Sequence, residues 1–175
     1  MKGLRSIPKV LKINGLEGYE LSCLFNNGES RIIDFAAYFQ NIKGFSERHP
    51  AYELSKSLEA FAQVELMGST IGWKNVGIYS KKIDGEEVFY PYQIDPIVLF
   101  ENGKLDESRT IQLGHLIRPA RKEAGLTQQE LAERSGTSKH YISRLENDKS
   151  DIELLTLKKI IEAGLGKTLK IQICG

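Results

Sequence analysis

Gly125-Leu126-Thr127-Gln128-Gln129-Glu130-Leu131-Ala132-Glu133-Arg134-Ser135-Gly136-Thr137-Ser138-Lys139-His140-Tyr141-Ile142-Ser143-Arg144-Leu145-Glu146-Asn147 decides how the last third of the chain folds. Apolar residues recur at helical spacing on both sides of Gly136, which predicts two short helices, Thr127 to Ser135 and Ser138 to Asn147. Two helices joined through one glycine must cross steeply. Small Ala132 permits that approach, and Leu131, Ile142 and Leu145 supply a shared core. Thr127 with Glu130 three residues on forms a capping box. Ser138 can cap the next helix, although no Glu or Gln stands at Tyr141. Both helix starts then present backbone N–H groups and positive dipole ends, which favour phosphates.

Working outward, Ile111 to Ala124 and Ile152 to Ala163 carry the same period, with Gly125, Gly136 and Gly164 near helix ends. Lys167 to Ile173 alternates Leu169, Ile171 and Ile173, which predicts a closing strand. Such a strand either covers the domain's own core or pairs with its counterpart in a second chain to build a homodimer. These packing requirements are those of a helix-turn-helix, a motif whose second helix enters the DNA major groove.

Upstream the period changes from that of helices to that of strands. Val10 to Ile13, Tyr19 to Phe25 and Arg31 to Phe35 suggest a β-meander, with Asn27-Gly28 as a tight turn. Ala36 to Gln40 fits one helical turn and Pro50 to Ala62 a short helix. Strand character returns at Gln63–Met67 and Thr70–Trp73 around Gly68-Ser69, then at Gly77–Lys82 and Glu87–Tyr92 around Asp84-Gly85. Trp73, Tyr79, Phe89, Tyr90 and Tyr92 suit a core or cross-strand pairs better than a stacking platform for a ligand or RNA. The polar stretch Glu101 to Arg109 is the best linker candidate.

Charge divides the same way. Residues 1–108 hold 12 Lys/Arg and 15 Asp/Glu, a balance of −3, whereas 109–175 hold 12 and 8, a balance of +4. That asymmetry suits a polyanion-binding C-terminal part carried on a mildly acidic partner domain. Cys23 and Cys174 belong to no CxxC pair and sit near no His at ligand spacing, so both are expected reduced and structural, with no metal site. No basic leader and no run of 18 uncharged apolar residues is present, so the reading is a cytoplasmic protein without a membrane partner.

The stretch resembles the lambda-repressor-like (Cro and phage-repressor, XRE-type) helix-turn-helix family, with the pattern Leu-Thr-Gln-x-Glu-Leu-Ala, then Gly-x-Ser and Ile-Ser-x-x-Glu, over residues 113–163. The resemblance implies DNA binding with Lys139, His140 and Arg144 reading base edges, although a lone His such as His140 is more often a phosphate or water contact than a specific reader. It implies backbone contacts from Gln128, Ser138, Tyr141, Ser143 and Asn147, and an ion pair of Arg121 with Glu146 bracing the first helix against the third. Arg makes bidentate bonds to guanine O6 and N7, and Lys donates to the same edge, so a G·C-containing half-site is expected. Two departures stand out. Pro119 falls inside the first helix, where a kink before Arg121 is expected, and Asp148 stands where the family places glycine in a left-handed turn.

Residues 8–100 are similar, more loosely, to an uncharacterised bacterial antitoxin-associated β-rich domain family, on the Asn-Gly turn, Asp34-Phe35 and Thr70-Ile71-Gly72-Trp73. The sequence thus predicts an α+β protein. A β-rich N-terminal domain with short helices (1–103) is followed by a linker (104–110) and an all-α helix-turn-helix domain ending in a strand (111–175). The expected function is sequence-specific transcriptional regulation, an autorepressing antitoxin whose first domain holds a toxin protein, or else a repressor whose first domain senses a small molecule. A DNA-tethered enzyme fits least: Cys23, His49 and His115 share no motif with a base or orienter, and no catalytic residue, cofactor or metal is expected.

Overall fold

The computed structural model describes residues 7–173, and its contacts divide the chain into two compact units between Thr110 and Ile111. The first unit holds two antiparallel sheets. In one, β1 (Val10–Glu17), β2 (Glu20–Phe25) and β3 (Ser30–Asp34) form a meander that β7 (Lys104–Leu105) extends beside β3. In the other, β4 (Glu65–Met67), β5 (Thr70–Lys81) and β6 (Glu87–Ile94) lie in sequence order. Gly28, Gly68 and Gly85 adopt φ of +85°, +65° and +87° in the three turns read from the sequence, a backbone region that costs glycine little.

Alternation along β2 places Leu21, Cys23 and Phe25 inward at no exposure, where they meet Ile33, Phe35, Phe61, Ile71 and Trp73. Burial pushes the Cys23 thiol up to about 12, so it stays protonated at neutral pH; Cys174 lies outside the described residues. Trp73 donates its ring N–H to the Phe61 carbonyl at 2.8 Å, satisfying the one polar atom that its burial would otherwise strand. Of the aromatic residues expected in core or cross-strand roles, Trp73 and Tyr92 are register partners with ring centroids 5.9 Å apart. Tyr79 and Phe89 pair across the hairpin at 5.0 Å, Tyr79 being largely exposed.

Short helices connect these strands. α1 (Phe35–Asn41) is capped by Asp34, while α2 (Tyr52–Lys56) and α3 (Leu58–Phe61) divide the single helix expected over 50–62, because Ser57 ends one and caps the other. α4 (Pro96–Asn102) starts with Asp95 as N-cap and Pro96 in its first turn, where a missing N–H costs nothing. The two runs expected at 70–73 and 77–82 are one strand, β5, whose register shifts between Trp73 and Gly77.

The stretch expected as a linker, 104–110, is instead part of the first unit. Asp106, 3% exposed, accepts from Ser22 and Ser108, each at 2.6 Å, and Arg31 and Ile32 pair with Leu105 and Lys104. The Ser108 and Ser22 hydroxyls hold the Asp106 carboxyl below the usual carboxylate range. A polar segment can therefore be a fixed edge when its carboxylate is met from inside.

The second unit contains α5 (Gly114–Glu123), α6 (Gln128–Ser135), α7 (Lys139–Leu145) and α8 (Leu154–Lys159), which runs on into a wide π-type turn, Ile160–Gly164. The expected closing strand does not form. Lys167 to Ile173 is irregular, with Ile171 62% and Ile173 95% exposed, and no described strand of this unit offers a ladder to pair with. Alternation alone supplies a face but no hydrogen-bonding partner.

Gly77 lies against the partner strand so closely that a Cβ there would collide with the Tyr90 carbonyl and the Phe89 ring, whereas one at Gly15 would meet nothing within 4 Å. Gly77→Ala is expected to lower stability by about 1–3 kcal/mol and Gly15→Ala by much less, measured as the difference in thermal unfolding of the two variants.

Candidate nucleic-acid interface

α6 starts as the sequence predicts. Thr127 Oγ1 accepts from the Glu130 N–H at 3.1 Å and the Thr127 N–H donates to Glu130 Oε2 at 2.7 Å. Those backbone and side-chain hydrogen bonds from Thr127 hold the Glu130 carboxyl below its ordinary value. Gly136, φ +64°, ends the helix in the left-handed region, and the Thr137 N–H turns back to the Ala132 carbonyl at 2.8 Å. Ser138 then caps α7, accepting from the Tyr141 N–H at 3.1 Å.

The inner faces of both helices enter one core, with Leu131, Ala132, Ile142 and Leu145 meeting Ile117, Leu126, Leu157 and Ile160. A Cβ at Gly164 would lie 2.6 Å from Leu131 Cδ1, so a larger residue in the turn after α8 requires that side chain to shift. Burial of one side of α7 fixes which side faces water.

Lys139, His140 and Arg144 are on that outer side and all three are exposed. Arg144 Nη2 donates to the Lys149 carbonyl at 2.8 Å, which anchors the guanidinium at the end of the helix and leaves most of its five donors open. Tyr141 and Ser143 are half-buried. Tyr141 packs against the core and donates its hydroxyl to the Asp151 carbonyl at 3.3 Å. Burial raises its phenol, helped by the charges of Glu153 and Asp151.

Beneath the end of α7 lies a charged cluster. Glu146, its side chain fully buried, accepts from Arg121 Nε at 2.5 Å and from Arg121 Nη2 at 2.9 Å, so the expected bracing pair is present and bidentate. Arg121 Nη1 also reaches the Leu126 carbonyl at 2.7 Å. Gln128 Nε2 donates to Glu146 Oε2 at 2.9 Å, and Arg118 Nε stands 3.7 Å from the same oxygen. Burial pushes the Glu146 carboxyl up, but hydrogen bonds from Arg121 and Gln128 and the charges of Arg121 and Arg118 outweigh it, leaving it below the usual glutamate value. Asn147 is bound on both sides, donating to the Ser143 carbonyl at 2.6 Å and accepting from Arg118 Nη2 at 2.8 Å.

Neither departure disrupts this arrangement. Pro119 sits within α5, which continues unbroken from Gly114 to Glu123. Asp148 takes the left-handed turn at φ +50°, and its carboxylate accepts from the Gly114 N–H at 2.8 Å, so the side chain that tolerates the turn less well also caps the first helix. Gly114 must be small, since a Cβ would meet Asp148 Oδ2 at 2.8 Å and the Glu146 carbonyl at 2.7 Å. Neither the Arg118 contacts nor the Gly114–Asp148 bond leaves a local mark in the sequence beyond Arg118 lying one turn before Arg121.

Residues 117–164 match the helix-turn-helix family model. The fold and this match define the second unit as a domain of the helix-turn-helix class. The wild-type restriction-modification controller protein C.Esp1396I is similar at 30% identity over 33% of this chain and 73% of that one, with a TM-score of 0.31. A point mutant of that controller gives 28% identity over 33% and 71%, at 0.31. NE0471 from Nitrosomonas europaea, described as DNA-binding, aligns at 15% identity over 87% of this chain and 84% of its own, with a TM-score of 0.32. No curated protein matches the chain significantly. No helix among the described residues is long and apolar enough to cross a membrane, and no described cluster of three or more His, Cys, Asp or Glu suits a metal ion.

Removing the Glu146 carboxylate would leave the largely buried Arg121 without its partner. Glu146→Ala is expected to cost about 3 kcal/mol or more, seen in denaturant unfolding. Because the folded-state value is depressed, the stability that Glu146 contributes is complete above its unfolded value near 4.3 and is lost as pH falls through the folded one. The gap between wild type and Glu146→Gln should accordingly shrink on acidification below pH 4.3, roughly the unfolded value of a glutamate.

Proposed function

We propose that this protein is a sequence-specific transcriptional repressor that reads operator DNA with α7. The observation that carries this reading is the outward set Lys139, His140 and Arg144 on a helix whose opposite side is locked in the core. Lys139 and Arg144 donate to guanine edges, and His140 contacts a base, a phosphate or a water. Gln128, Ser138 and Asn147, with Tyr141 and Ser143 at the border, adjoin the sugar-phosphate backbone. Gln128 donates to the Glu146 carboxylate and Asn147 to the Ser143 carbonyl, so they meet phosphates with whichever donors remain. The positive balance of this half of the chain favours the approach to a polyanion.

The protein acts as a homodimer on a palindromic site, two recognition helices standing about 34 Å apart. Ile171 and Ile173 are exposed and available to a second copy. The finer role is that of an antitoxin that represses its own promoter while the first unit holds a toxin protein, a reading supported by the resemblance over residues 8–100. One observation favours a second reading, in which the first unit senses a small molecule. An open pocket of about 690 Å³ lies among Arg48, His49, Glu53, Lys74, Tyr79 and Phe89, a size that suits small ligands.

The test is a footprint of the purified protein on the DNA upstream of its own coding sequence. A protected palindrome is the expected result, and uniform cleavage at saturating protein contradicts autorepression. On the protected site Arg144→Ala is expected to cost roughly 1–3 kcal/mol and to relax preference at one base pair, measured by titration against single-base operator variants.

A further inference from the structure

The cluster under α7 carries one more positive charge than its buried carboxylate requires. Arg121, its side chain 11% exposed, already meets both oxygens of Glu146 at 2.5 and 2.9 Å. Arg118 Nε, 3.7 Å away, is too distant for a hydrogen bond, and its side chain is 44% exposed. Nor is Arg118 free to wander, because Asn147 Oδ1 accepts from its Nη2 at 2.8 Å while Asn147 is itself fixed by the Ser143 carbonyl. A guanidinium held at one corner beside Gln128 and Asn147, with its side chain 44% exposed, keeps donors available to a ligand.

We propose that Arg118 is a phosphodiester-binding residue of this interface and that Asn147 positions it, an assignment that rests on the DNA-binding reading above. Arg121 neutralises Glu146 and fixes the helices. Arg118 supplies the surplus charge to a DNA phosphate flanking the segment read by α7. The Glu146 carboxylate keeps Arg118 near the surface of the cluster without consuming its donors, and Arg presents a planar fork suited to phosphate oxygens. First-helix residues thereby take part in binding as well as in support.

A phosphate contact is independent of sequence and releases condensed counterions, so it is read in the salt dependence of affinity. The full-length chain is titrated by fluorescence anisotropy against a labelled duplex of arbitrary sequence at several salt concentrations. Arg118→Gln keeps a donor for Asn147 and removes the charge, and Arg118→Lys keeps the charge. Arg118→Gln is expected to weaken binding and to reduce the magnitude of the log–log salt slope by about 0.9 per chain bound, while Arg118→Lys retains the slope. Asn147→Ala is expected to weaken binding with the slope retained. A purely structural role for Arg118 would move the melting temperature and leave the slope alone. Wild-type binding with an unchanged slope in Arg118→Gln overturns the assignment only. Absence of binding by the wild type to any duplex overturns it together with the DNA-binding reading.

Discussion

A carboxylate with no exposed surface must be met by its surroundings, because desolvating an unpaired charge costs several kcal/mol. In the second unit that group is Glu146, at the C-terminal end of α7. Its partners come from two other helices, Arg121 from α5 and Gln128 from the start of α6. Three helices are therefore tied to one residue at the end of the helix that faces outward. The position of Lys139, His140 and Arg144 in space depends on that tie as much as on the apolar contacts of Ile142 and Leu145.

The same constraint gives Asp148 its role. With Glu146 fixed, the chain must turn sharply, and the left-handed residue at the turn returns a carboxylate to the first backbone N–H of α5. Gly114 leaves room for it. Asp148, where the resembled family has glycine, thus exchanges an easier backbone conformation for a tie between the end of α7 and the start of α5. In the first unit Asp106 plays a comparable part, since a buried carboxylate met by Ser22 and Ser108 fastens the end of that unit to its meander.

Local signals were the legible ones. The Thr127–Glu130 capping box, the Gly136 turn and the four helical segments of the second unit follow from contacts within a few residues, and so do the glycine turns of the sheets. The missing features depend on distant partners. Asp106 looked like part of a linker because its hydrogen bond to Ser22 spans most of the first unit. Leu169 to Ile173 looked like a strand because alternation shows a face and says nothing about a ladder to join. At the site, the family resemblance implied the Arg121–Glu146 pair and the outward residues of α7, but not that Gln128 donates to Glu146, that Asn147 donates back to Ser143, or that Arg118 stands beside them.

In the proposed function the outer side of α7 discriminates between DNA sequences while the cluster beneath it supports and anchors. The most direct measurement compares the affinity of a Lys139→Ala, Arg144→Ala double variant for the footprinted operator with its affinity for an arbitrary duplex. The ratio is expected to collapse toward one while binding to the arbitrary duplex persists at low salt. An operator preference equal to that of the wild type would contradict it.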